Sequence, residues 1–193
     1  MSFTPSLLTA HYIVQLAKLK KKETDLITDK KLSVHYSDLF IEVVGIASER
    51  FVICATGAKP VQVAYGVHQS ARFFTDCGDV TLSAFCIDVK GTVRRGKTMH
   101  LIIRASKFTD EEREKRKVIY KRHVNMFCLV IIDSQKKDVN DSDLDLASFL
   151  STSLFSIAGY ISPDDVLLQK KELDGSYRIP EYLLHPLSYY EIK

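Results

Sequence analysis

Asn125-Met126-Phe127-Cys128-Leu129-Val130-Ile131-Ile132 is the strongest strand signal in the chain. It is an unbroken apolar run of strand length, rich in β-branched and aromatic side chains, and such a run belongs at the centre of a sheet. It follows Val124, runs into Asp133, and gives way to a polar stretch from Lys136 to Asp143. Upstream, Val80 to Val89 and Thr98 to Ala105 read as two further strands joined by the link Lys90-Gly91-Thr92-Val93-Arg94-Arg95-Gly96-Lys97. The two glycines permit tight turning, so the arginines are expected on a loop.

Further from the central strand, Leu39 to Ile46 and Arg50 to Ala55 are β-rich runs separated by Ser48-Glu49, which predicts an antiparallel hairpin. Lys59-Pro60 opens a candidate helix with Val61, Ala64, Tyr65, His68, Ala71 and Arg72 on one face, ending at Cys77-Gly78. Gly66 and the alternation of Val61, Val63, Tyr65 and Val67 keep a strand open there. Asp145 to Tyr160 predicts a helix with Leu146, Phe149, Leu150, Leu154 and Ile157 inward. Asp164 to Gln169 and Ser176 to Ile179 flank Leu173-Asp174-Gly175, where Asp-Gly signals a hairpin. At the start, Thr4-Pro5 reads as a cap with proline at the first helical position, and Leu8, Tyr12, Leu16 and Leu19 recur at helical spacing.

These elements predict an α+β fold: a single domain with a central, mostly antiparallel sheet packed against a few helices, preceded by an N-terminal amphipathic helix. Residues 1–35 are expected to form that helix and a basic linker, and residues 36–193 the core domain. A chain of 193 residues, 46% hydrophobic, suits one domain. No stretch approaches the roughly 18 uninterrupted apolar residues of a membrane helix, and MSFTPSLLTAHY lacks a secretory signal's charged start and cleavage site. Cys54, Cys77, Cys86 and Cys128 are too scattered for a zinc site or a redox pair, so buried free thiols are expected.

Charge is unevenly distributed behind a formal net of +3. Lys90 to Arg122 holds twelve basic residues against four acids, and Asp133 to Asp174 nine acids against four lysines. A second basic run, Lys18-Leu19-Lys20-Lys21-Lys22, precedes Lys30 and Lys31. The candidate contacts for an anionic surface are therefore Lys18, Lys20, Lys21, Lys22, Arg94, Arg95, Lys97, Arg113, Lys115, Arg116, Lys117, Lys121 and Arg122. Such residues attract phosphate and anionic headgroups alike, without sequence preference. Phe108 and Tyr120 are too few for a base-stacking platform.

Catalytic patterns are poor. A nucleophile elbow, a P-loop, a dinucleotide fingerprint and an HExxH run are missing, and His11, His35, His68, His100, His123 and His185 are dispersed. Asp138 to Asp143 lacks the sixth-position glycine of a calcium loop, since Asp143 stands there. Asp164-Asp165 with Lys170-Lys171 and Glu172 is better explained by the Asp-Gly turn than by a metal nuclease. No catalytic residue, metal or cofactor is expected.

The order of elements resembles that of rhabdovirus matrix proteins over roughly residues 36 to 180. The likeness lies in the strand pair with its Phe40-Ile41-Glu42-Val43 rhythm, a following helix, two strands around a basic link, the strand Val124 to Asp133, and a late helix leading to the Leu168 to Gly175 turn. The resemblance implies a non-enzymatic structural protein of the virion that self-associates and bridges ribonucleoprotein and membrane during assembly and budding. Its partners would be further copies of itself, viral nucleoprotein with its RNA, and an anionic membrane surface in the host cytoplasm. Pro-Pro-x-Tyr is absent, and a helix is expected where better-known members carry a long basic arm, which points to a divergent member from a plant or invertebrate virus. Two other classes compete. One is a nucleic-acid binder, such as a viral suppressor or movement factor, using Arg94 to Arg122; the other is a thioesterase-like enzyme with a pocket near His68.

Overall fold

The structure, a computed structural model, describes residues 2–25, 37–60, 79–104, 124–136 and 138–191. Its frame is a six-stranded sheet ordered β1-β7-β6-β4-β3-β2, with β5 and β8 forming a separate pair. The strands are β1 (Ser2–Phe3), β2 (Lys59–Pro60), β3 (Val80–Leu82), β4 (Phe85–Val93), β5 (His100–Arg104), β6 (Met126–Asp133), β7 (Leu154–Ile161) and β8 (Ser176–Pro180). Among the described strands only β4 and β6 run parallel; every other pairing is antiparallel. The α+β class and mostly antiparallel sheet expected from the sequence are what the chain forms.

The central position of β6 follows from its composition. Met126, Cys128, Val130 and Ile132 enter one core, and Phe127, Leu129 and Ile131 enter another. A strand buried on both faces reads as a continuous apolar run. The first core is closed by α1 (Leu7–Asp25), α2 (Asp38–Thr56) and α3 (Asp143–Thr152); the second by the β5–β8 pair and α4 (Pro163–Leu167). The molecule is thus helices, sheet and small sheet in three layers.

Several expected elements differ. Leu39 to Ala55 is one helix rather than a hairpin. Its buried residues Leu39, Phe40, Val43, Val44, Ala47, Phe51 and Val52 recur at three and four, the helical period. The Ser37 hydroxyl accepts from the Phe40 N–H at 3.0 Å to start α2, and Gly57, at φ 73, ends it with its N–H bonded to Ile53. Ser48, read as a turn residue, is buried and donates to the Val44 carbonyl at 2.8 Å. The β-branched composition suggested strands, but an all-apolar run does not declare its period. The strand pair that carried part of the family resemblance is therefore helical.

Gly91, read as a loop residue, lies inside β4 opposite Val130. A Cβ there would overlap Ser48 Oγ and stand 2.9 Å from Val44 Cγ1, so the missing side chain is what lets α2 press onto the sheet. Asp145 to Tyr160 splits at Ser153 into α3 and β7. The Ser153 and Thr152 hydroxyls donate to Phe149 and Ser148 carbonyls at 2.6 and 2.8 Å, competing with continued helix. Leu146, Phe149 and Leu150 are inward as expected, whereas Leu154 is exposed and Ile157 half-buried on a strand. Asp164 to Leu167 falls in α4, capped by Ser162 and led by Pro163. The Asp174-Gly175 turn forms, with Gly175 at φ 78 and its N–H bonded to Glu172, but β8 then pairs with β5. Lys59 and Pro60 pair with β3 as an edge strand rather than opening a helix; residues 61–78 lie outside those described.

Helix α1 packs its small face inward. Ala10, Ile13, Val14 and Ala17 are buried against α2 and α3, with Leu16 partly buried, while Leu8, Tyr12 and Leu19 point to solvent. Of the residues that recur at helical spacing, only Leu16 turns towards the core.

Candidate functional site

The sequence-derived basic residues meet different fates. Lys18 pairs with Asp143 at the start of α3. Lys20 reaches across to α2, 3.3 Å from Glu42 and 3.8 Å from Glu49. Lys21 is half-buried and Lys22 exposed. Arg94, at the end of β4, is held by Asp133 at 2.6 Å and lies 3.8 Å from Glu181. Arg95 and Lys97 are exposed on the loop between β4 and β5. Arg113, Lys115, Arg116, Lys117, Lys121 and Arg122 fall outside the described residues. Lys18, Lys20 and Arg94 are thus tied to the protein's own carboxylates. Of the other described candidates, Lys22, Arg95 and Lys97 are exposed.

A cluster not read from the sequence gathers at the junction of α1, α2, β3 and β4. It joins Lys20, Glu42, Glu49, Asp79, Asp88 and Lys90. Lys90, the first residue of the basic link, bonds Asp88, two residues earlier on the same strand, and Asp88 is only 6% exposed. The Asp79 carboxylate accepts the Val89 N–H at 2.7 Å, and its own N–H bonds the Ile87 carbonyl at 2.8 Å, so it pins the edge of β4 beyond the short β3.

The carboxylates Glu42, Glu49, Asp79 and Asp88 share two ammonium groups here, and the proton affinities follow. Burial, then the charges of Asp88 and Glu49, push Asp79 up to about 8, against the opposing pull of Lys90 and the Val89 N–H. Burial likewise raises Glu49 in spite of Lys20 and Lys90. Burial alone would lower Lys20 and Lys90. Glu49, Glu42 and Asp79 around the first, and Asp88, Asp79 and Glu49 around the second, outweigh that and hold both above the usual range. The one available signal was Asp88, a carboxylate between Ile87 and Val89 in an otherwise apolar strand. The other members come from residues 20 to 90, and only the fold brings them together.

No nucleophile and base meet among the described residues. Cys128 is buried, and burial raises its thiol to about 12, with Tyr160 as hydrogen-bond partner. The His185 ring stacks on Tyr189 at 4.2 Å. His11 is half-buried and His100 exposed. His35, His68, His123 and Cys77 lie outside the described residues, as does the pocket expected near His68. No group of three metal-ligating side chains occurs among the described residues, and no described helix is long and apolar enough to cross a membrane. The acidic loop is occupied by its own bonds: Asp145 takes Lys136 and the Asn140 N–H, and Ser37 donates to Asp141.

The outer face of α1 is a different kind of surface. Leu8 is 82% exposed, Tyr12 56% and Leu19 62%. With Gln15 they form one stripe on the side opposite Ala10, Ile13, Val14 and Ala17, as about 3.6 residues per turn requires. Leu8, Thr9, His11, Tyr12 and Gln15 bound a shallow, open, apolar depression on it. Exposed apolar side chains are ordinary singly, but three in register on one helix form a surface suited to contact. Comparison of the chain with protein-family models, curated proteins and solved structures finds no match.

Proposed function

We propose that the chain is a non-enzymatic assembly protein of the matrix type, one that self-associates and bridges ribonucleoprotein and membrane during virion assembly. The observation that carries the reading is the outer face of α1. A helix whose inner face packs on the core presents a second, exposed apolar stripe of Leu8, Tyr12 and Leu19, a surface suited to contact with another molecule. Exposed basic residues support the other half of the reading. Lys22 and Lys97 lie on the surface with the exposed Arg95 beside Lys97 on the same loop; Arg94 holds the end of β4 to Asp133.

Weak contacts of two kinds suit a lattice. Apolar pairing joins copies, basic loops face phosphate, and repetition multiplies both. The test is co-sedimentation of the protein with phosphatidylserine vesicles and, separately, with single-stranded RNA, at low and at moderate salt. Salt-weakened binding to vesicles that Arg95→Glu/Lys97→Glu abolishes is expected. Binding to RNA alone would favour the nucleic-acid reading, and binding to neither at low salt would overturn the proposal.

A further inference from the structure

Resting on that reading of self-association, we infer that the outer stripe of α1 is an isologous interface, on which a second copy of this chain docks its own α1 antiparallel about a two-fold axis. Three observations converge on it. The first is spacing. Leu8, Tyr12, Gln15 and Leu19 are separated by four, three and four residues, so the stripe reads the same in both directions. Antiparallel pairing then sets Leu8 against Leu19 of the second copy and Tyr12 against Gln15, and the two-fold repeats each contact. A two-fold interface demands this self-complementarity, and a four–three rhythm is that of helices packing side by side. Parallel pairing would instead stack like on like.

The second is shape. The depression bounded by Leu8, Thr9, His11, Tyr12 and Gln15 occupies the N-terminal half of the stripe. Leu19, exposed in the C-terminal half, is the side chain that antiparallel docking sets against Leu8 at the rim of that depression.

The third is polarity. Lys18, the one Lys or Arg flanking the stripe between residues 8 and 19, is neutralised within its own copy by Asp143, so no like charges are forced together. Gln15 donates to the same Asp143 at 2.9 Å. The carboxylate therefore sits beside the position that the second copy's Tyr12 reaches, and it offers an acceptor for that hydroxyl. Asp143 is held below the usual carboxylate range by its bonds to Lys18 and Gln15, which keeps it an acceptor at neutral pH.

The contact is small. A stripe of four side chains falls short of the roughly 20–30 residues per side of a stable interface, which makes this a weak pair that gains strength by repetition. Being apolar, it resists salt, unlike the contact of the basic loop.

A charge exchange tests both the face and its direction. Leu8→Glu and Leu19→Lys are prepared separately in the full chain; both sites are exposed, and circular dichroism checks the fold of each. Mass is followed against concentration by sedimentation. Wild type is expected to pair, and each variant alone to weaken pairing about tenfold or more. An equimolar mixture is expected to recover it, because the carboxylate introduced in one copy then meets the ammonium introduced in the other. Two variants that pair as wild type does would overturn the proposed face while leaving self-association standing. Loss in each variant without recovery in the mixture would overturn the antiparallel arrangement. A wild type that stays monomeric at every concentration would overturn both this inference and the reading on which it rests.

Discussion

Replacing Gly91 by alanine adds a single methyl group at the point where α2 lies on the sheet. That carbon would overlap Ser48 Oγ and stand 2.9 Å from Val44 Cγ1 and 3.0 Å from the Val44 carbonyl oxygen. The nearest atom cannot simply rotate away, because the Ser48 hydroxyl is buried and bonded to Val44 at 2.8 Å. Overpacking of this kind costs about 1–3 kcal/mol, and displacing the hydroxyl forfeits a further ~1 kcal/mol. Gly91→Ala should therefore destabilise the fold by about 2–4 kcal/mol. Ser48→Ala alone removes the hydroxyl at a cost of about 1 kcal/mol. It also relieves the shortest clash, so the double variant should be more stable than the sum of the singles implies, by roughly 1 kcal/mol. Urea unfolding of the four proteins measures this cycle through their midpoints at constant slope. A neutral Gly91→Ala, or two strictly additive effects, would refute the placement of α2 over β4.

Other consequences are independent of that one. Asp79 has a folded pKa of about 8 against an ordinary value of 3.8. The stability it contributes is therefore fully present below about pH 4 and lost as pH rises through about 8, since the folded form keeps a proton that the unfolded chain has released. Asp79→Asn should flatten the fall in urea midpoint between about pH 5 and pH 9, and an unchanged slope would count against the cluster. Cys128, with its thiol raised to about 12, should resist a thiol reagent until the protein unfolds, while the exposed Cys54 reacts in the native state. Arg94→Ala should leave vesicle binding intact and lower stability by no more than about 1 kcal/mol, as half-exposed ion pairs do. Equal loss of binding from Arg94→Ala and from Arg95→Glu/Lys97→Glu would contradict the division of roles drawn between them.

What the sequence disclosed depended on how locally each signal was encoded. Strand β6 was legible because a strand buried on both faces needs apolar residues at every position from Met126 to Ile132. Helix α2 was not, because Phe40, Val43, Val44 and Val52 favour strands by composition while their burial follows the helical period. The local signals that mark it as a helix are its caps, Ser37 and Gly57, which the structure shows at its two ends. Ser153 hid the break between α3 and β7, since Leu154 and Ile157 continue the apolar rhythm of the helix into a strand.

The charged residues were counted correctly and placed poorly. Charge runs give number and sign but not partners, so the binding of Lys20 by Glu42 and Glu49, or of Arg94 by Asp133, has no local signature. The α1 stripe was visible as helical spacing, but the same pattern fits an inner or an outer face. The burial of Ala10, Ile13, Val14 and Ala17 decides between them, the two alanines letting the helix lie close to α2 and α3.

The most direct test of the account is the mass of the purified full chain against concentration by light scattering, at low and at moderate salt. An assembly protein of this kind grows from monomer to a pair that survives moderate salt, and forms larger assemblies at low salt that moderate salt disperses. A mass that stays at that of one chain under every condition would contradict the claim that this is an assembly protein.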